Sequence, residues 1–222
     1  MKRETLQSIL RFLFKVFTRL EWQGLEYIPA QGGIIVTTNH MSRLDVALLL
    51  LTPTRPDITA LVADKYKSHL LFNFMVETAQ AIWIDRSKAD FSAFAEAVKM
   101  IRNGTAMGIA PEGTRSDINM LLEGKPGTIL LAQRAGVPIV PVGISGTDTA
   151  VRQLLKLQRP HIVARFGPPY NLPPIDRNNK DESLKLLTDE VMCRIAVLLP
   201  ERYHGFYKGH PRVKELQSGL GI

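Results

Sequence analysis

A single cysteine, Cys193, carries all the thiol chemistry available in 222 residues. That excludes an internal disulfide and a zinc site of the thiolate kind, and it predicts a reducing, cytosolic setting. Long apolar runs are missing too. The longest, Val46 to Leu51, falls far short of the roughly 18 residues that a membrane-spanning helix needs, so no simple spanning helix is expected. Acidic residues are in deficit, 21 against 28 Lys plus Arg, for a net charge of +7. A basic surface predicts an anionic partner: nucleic acid, an anionic membrane surface or a phosphorylated substrate. No internal repeat or linker interrupts the chain, and 45% hydrophobic with 22% charged residues is the composition of one ordinary folded domain.

What is present begins with an amphipathic segment. At 100° per residue, Leu6, Ile9, Leu10, Leu13, Val16, Phe17 and Leu20 share one face, with Arg11, Lys15 and Arg19 on the other and Phe12 and Phe14 at the borders. Five basic residues face one acid, Glu4, over the first twenty positions. This pattern fits a helix lying in a membrane interface, and it fits equally a helix packed on the rest of the domain. The basic interruptions also argue against a cleaved signal peptide, so the segment is expected to stay on the mature protein.

Beyond it, short apolar strands alternate with helices. Strands are expected at 34–38, 58–62, 81–84, 105–110, 137–144 and 162–166, and helices at 45–51, 89–102, 126–135 and 181–199. This alternation predicts an α/β fold with a mixed, mostly buried sheet flanked by helices, the sites lying at the carboxyl ends of strands. Asn39, His40, Arg86, Glu112 and Arg115 all follow directly on such ends.

Chemistry concentrates in two of these loops. Asn39-His40-Met41-Ser42-Arg43-Leu44-Asp45 sets a histidine and an aspartate five positions apart across a strand-to-helix turn, a spacing that suits a general base and the carboxylate that orients it. The same spacing also suits a capped helix beside a structural histidine. No Gly-x-Ser-x-Gly nucleophile elbow accompanies it, since Gly143-Ile144-Ser145-Gly146-Thr147 fails at the last glycine, so the proton has to come from a substrate hydroxyl. Ala110-Pro111-Glu112-Gly113-Thr114-Arg115-Ser116 offers a guanidinium for phosphate and a carboxylate able to hold Arg115 or a substrate hydroxyl; a surface ion pair is the plainer alternative. His69, His161, His204 and His210 have no partner at metal-ligand spacing, and no metal is expected. Lys125 reads as a loop charge, Cys193 as a buried thiol, and the aromatic and basic run Tyr203 to Lys208 as a packed tail or, less simply, a surface for lipid or nucleic acid.

Together these residues resemble the glycerolipid acyltransferase family, which includes 1-acyl-glycerol-3-phosphate acyltransferases. The resemblance rests on four ordered motifs over roughly residues 22–170: Asn39, His40 and Asp45; Ile84, Asp85 and Arg86; Pro111 through Ser116; and Val137 through Val142. Ala110 and Ala81 stand where the family usually has Phe and Gly. The resemblance implies that His40 is the general base, with Asp45 orienting it. It also implies that Asn39, Arg86, Glu112, Gly113, Thr114 and Arg115 bind the acceptor and that Val137 and Pro138 line a neighbouring pocket. The implied reaction moves a fatty acyl group from an acyl-CoA or acyl-carrier-protein thioester to a lysophospholipid hydroxyl, most simply on lysophosphatidate, with no cofactor. The implied layout is an interface helix at 1–21, an acyltransferase domain at 22–222, and a peripheral location on the cytoplasmic face of a membrane, with no nucleic-acid partner. A non-catalytic module binding anionic lipid is the competing reading; it accounts for the charge and the first helix but leaves His40, Asp45 and Glu112 without a role.

Overall fold

The computed structural model describes residues 2–85 and 90–220. Its framework follows from strands too apolar to expose either face. In β2 (Ile34–Thr38) every residue is buried; Ile35 joins one core while Ile34 and Val36 join the other, as the two-residue period of a strand requires.

Seven strands form one sheet in the order β1 (Arg19–Gln23), β7 (His161–Phe166), β6 (Ile139–Ser145), β2, β5 (Ala106–Ile109), β3 (Thr59–Ala63) and β4 (Ile82–Ile84). Neighbours run parallel except β6 and β7, so the sheet is mixed. On one face lie α1 (Arg3–Phe17), α2 (Arg43–Leu50) and α6 (Thr147–Leu154), through Phe14, Leu48 and Ala150. On the other lie α4 (Phe91–Arg102), α5 (Gly127–Ala135), α7 (Lys180–Ala196) and α8 (Pro211–Leu220), through Ile101, Ile129, Val191 and Val213. A smaller cluster of Ala60, Val62 and Val76, with Tyr66 and Phe72 against it, packs α3 (Leu70–Thr78) onto β3 and β4. The amino-terminal end of the sheet is pinned by Arg55, which is 2% exposed. Its guanidinium pairs with both carboxylate oxygens of Asp57 and donates to the carbonyls of Pro29, Gly32 and Gly104, so no proton of this buried cation's fork goes to waste.

Most expected elements are present, and the differences have physical causes. The first helix, expected through Leu20, ends at Phe17. There Thr18 turns extended and sends both its N–H and its hydroxyl to the Phe14 carbonyl. The chain then enters β1, whose parallel pairing with β7 outweighs the helical periodicity, and β1 runs across the boundary expected between residues 21 and 22. Helices α3, α6 and α8 were not expected: each is short, and its apolar residues do not form a long periodic stripe. Tyr203 and Tyr207 are buried, so the tail packs into the core as the simpler reading held.

Candidate active site

The loop between β2 and α2 is fixed from three sides. Asn39, fully buried, exchanges two 2.8 Å hydrogen bonds with the backbone of Ile144 on β6: its amide donates to the carbonyl and its Oδ1 accepts from the N–H. The His40 N–H donates to Glu112 Oε1 at 2.9 Å, and its carbonyl accepts from the Ser116 N–H at 2.8 Å. Ser42 caps α2 and Asp45 completes a capping box. Asp45 Oδ2 accepts the N–H groups of Met41 and Ser42 at 2.8 and 2.7 Å and stands 3.3 Å from His40 Nδ1. One carboxylate oxygen thus holds the turn and the imidazole together. Asp45 is 1% exposed, whereas the His40 side chain keeps 20% of its surface. With Nδ1 turned to the carboxylate, the other ring nitrogen is the one available to a substrate proton.

His40 lines a cavity of about 180 Å³ bounded by α2, β3, β5 and the start of α3. Its inner wall is apolar, from Leu49, Ala60, Val62 and Phe72, and its mouth carries Arg43, Lys65, Thr114 and Arg115. Arg43 and Lys65 stack on Tyr66, at 5.8 and 5.2 Å from the ring centroid; Arg115 has no ion-pair partner among the described residues. Gly108 on β5 makes the cavity floor possible, because a Cβ there would sit 3.0 Å from Leu49 Cδ1 and 3.3 Å from the Thr59 carbonyl. Gly113 turns the loop at φ +68°, with the Lys125 side chain 3.0 Å from where a Cβ would stand.

The sequence-derived roles divide on this geometry. His40, Asp45, Thr114 and Arg115 meet at the cavity. Asn39 and Glu112 sit beside it but are spent on the chain: Glu112, 1% exposed, takes the N–H of His40 on one oxygen and that of Leu122 on the other at 2.9 Å, and it does not hold Arg115. Burial pushes the Glu112 carboxyl up to about 7 against the opposing pull of the Leu122 and His40 N–H groups. Val137 and Pro138 are not brought to the cavity. They precede β6, whose Ile139 pairs in parallel with Ile35, so they lie level with the start of β2 while His40 follows its end. Arg86 lies outside the described residues. The cations Arg43 and Lys65 escaped the sequence analysis. Their signal was a charge inside the His40 loop and a basic, aromatic run, Lys65-Tyr66-Lys67, at a strand's carboxyl end. Among the described residues no group of three or more His, Cys, Asp and Glu could hold a metal.

A mixed α/β fold that sets a histidine against a buried aspartate, beside an apolar-walled cavity edged by Arg43, Lys65 and Arg115, is a class of arrangement able to hold and pass a proton next to an anion. The family comparison agrees with this class: the model described as "Acyltransferase" matches residues 19–145, and the chain belongs to the acyltransferase family. A Mycoplasma genitalium protein named "Probable 1-acyl-sn-glycerol-3-phosphate acyltransferase" is 34% identical over 120 residues, 51% of this chain and 44% of that protein. The "1-acyl-sn-glycerol-3-phosphate acyltransferase" of Limnanthes alba is 31% identical over 175 residues, 77% of this chain and 61% of its own. The chain therefore spans between about two fifths and three fifths of these relatives' lengths. The fold resembles the crystal structure of the 1-acyl-sn-glycerophosphate acyltransferase PlsC from Thermotoga maritima, with TM-score 0.64 and 22% identity over 88% of this chain and 79% of that one.

Proposed function

We propose that this chain transfers a fatty acyl group from a thioester, acyl-CoA or acyl-carrier protein, to the free hydroxyl of 1-acyl-glycerol-3-phosphate, giving phosphatidate. The observation that carries the reading is His40, held by Asp45 at 3.3 Å, at the junction of an apolar cavity and a mouth containing Arg115. The His40 imidazole takes the hydroxyl proton as the oxygen attacks the thioester carbonyl. Asp45 stabilises the imidazolium that forms, and when the tetrahedral intermediate collapses that proton passes to the departing thiolate sulfur. Arg115 meets the acceptor phosphate, with Thr114 and Gly113 shaping the loop that presents it. The chemistry asks for no metal. The names of the relatives support lysophosphatidate as the acceptor.

The same reading places the protein peripherally on the cytoplasmic face of a membrane, with α1 as the interface helix. No described helix is long and apolar enough to cross a membrane. The apolar residues of α1 face two environments: Leu6 of the stripe and the bordering Phe14 are buried in the protein, while Ile9, Val16 and Phe17 of the stripe and the bordering Phe12 are exposed. The exposed apolar residues support the interface reading, and the buried ones pack on the domain.

The test is thiol release together with mass-spectrometric detection of diacyl product, using a panel of lysolipids with both thioester donors. Phosphatidate formed from lysophosphatidate and abolished by His40→Ala is expected, and Arg115→Ala should raise the acceptor KM well above that of the donor. Turnover of a different lysolipid alone would replace the acceptor; no thiol release with any pair would remove the catalytic reading.

A further inference from the structure

The segment joining β6 to β7 leaves and re-enters the sheet at the end that carries His40, since Val142 on β6 pairs with Thr38 and Ser145 pairs with Val163 on β7. Within it, α6 ends in a Schellman motif: the Gln158 N–H reaches the Gln153 carbonyl and the Leu157 N–H the Leu154 carbonyl. The left-handed position of this motif favours glycine, as at the end of α4, where Gly104 occupies it. Here it holds Leu157, at φ +56° and 96% exposed. A bulky residue is strained at that φ, and its side chain gains nothing from the protein. Leu155, 82% exposed, stands beside it. Folding alone does not explain two leucines held out on a strained turn.

The surroundings say what covers them. Arg159 donates to the carbonyls of Lys15 and Thr18, docking the turn against the last turn of α1, where Val16 and Phe17 are also exposed. Between α1 and β1 runs a groove of about 400 Å³ with Phe14, Leu20 and Trp22 in its walls; its charged lining is Arg11, Lys15, Arg19 and Arg159, with no carboxylate. Apolar tips beside a purely cationic, apolar-walled groove suit an anionic phospholipid bilayer, which supplies acyl chains and phosphates side by side.

We propose that the turn at Leu155 to Leu157 is a second membrane-insertion element, acting with α1 to seat the groove on anionic lipid headgroups at the end of the sheet where His40 lies. The proposal rests on the peripheral reading of α1 and extends it to a part of the chain far away in sequence.

The test is partitioning of the full chain onto phosphatidylcholine vesicles with and without phosphatidylglycerol. Leu155→Ser with Leu157→Ser is expected to lower the partition coefficient on the anionic vesicles by about tenfold or more, with acyl transfer between short-chain soluble substrates unchanged. Leu157→Asn separates insertion from folding. Asn tolerates the left-handed region, so this variant should melt higher than the parent and yet bind vesicles more weakly. Binding equal to the parent in the leucine variants, with loss only in Phe12→Ser and Val16→Ser, would overturn the insertion turn and leave the α1 reading in place. A parent chain that binds neither vesicle would overturn both.

Discussion

Asp45 serves as both helix cap and imidazole partner, and the two roles separate by substitution. In Asp45→Asn the amide oxygen can keep the place of Oδ2, retaining the N–H bonds of Met41 and Ser42 and a neutral contact to His40, while the charge is lost. Two full charges 3.3 Å apart attract by about 5 kcal/mol at an effective dielectric of about 20. With roughly half a positive charge on the ring at the transition state, about 2 to 3 kcal/mol is forfeited, or on the order of 10²-fold in kcat. Ser42→Ala removes only the hydroxyl that accepts from Leu44. It should cost about 1 kcal/mol of stability and leave kcat near the parent value. The assay is thiol release at saturating substrates, run beside thermal unfolding of each variant. Asp45→Asn with parental kcat and a lowered Tm would refute the argument and reduce Asp45 to a cap.

Three further outcomes follow from buried groups. Because the Glu112 carboxyl is raised to about 7 in the fold from about 4.5, the native state holds its proton more tightly. The stability advantage of the parent over Glu112→Gln should therefore be greatest below pH 4.5, shrink by up to about 3 kcal/mol between 4.5 and 7, and stay level above; an advantage that grows with pH in unfolding titrations would contradict this. Arg55→Met leaves the carbonyls of Pro29, Gly32 and Gly104 without their donor and removes the partner of the part-exposed Asp57, and should cost about 2 to 3 kcal/mol in denaturant titration, with the Arg55→Met/Asp57→Asn double variant losing less than the sum of the singles. Cys193 is fully buried, and burial raises its thiol to about 12. A disulfide reagent at pH 8 should label none of the folded protein and one thiol per chain in denaturant.

The sheet was legible because its central strands are apolar runs bounded by glycine, proline and asparagine, and β2, β5 and β6 lie close to where those boundaries put them. The His40 and Asp45 pair was legible for a similar reason, being local: five residues across one turn settle its geometry. What was not legible depended on distance. Asn39 and Glu112 look like ligands in a loop, yet their partners Ile144 and Leu122 are supplied by segments 105 and 10 residues away, and no local pattern announces such pairings. Val137 and Pro138 stand next to a strong strand signal whose direction places them at the wrong end. Strand β1 was hidden inside a helical period because its pairing with the distant β7, where His161 stands opposite Arg19, decides its state. The cavity wall at Lys65 comes from a single 3-10 turn after β3 and that at Phe72 from α3, both too short for periodicity to reveal.

That wall packs in a cluster of its own, Ala60, Val62 and Val76, apart from the two main cores. His40, by contrast, is anchored through Asn39, Glu112 and Ser116 to the central strands and the loop after β5. His40 is thus tied to the central strands, whereas Val62 and Phe72 of the cavity wall belong to a small cluster at the β3–β4 edge of the sheet, where local opening costs least. If His40 acts as proposed, substitutions in that cluster would alter what fits the cavity while leaving the His40 and Asp45 pair in place, so selectivity and reactivity would be free to evolve on separate residues.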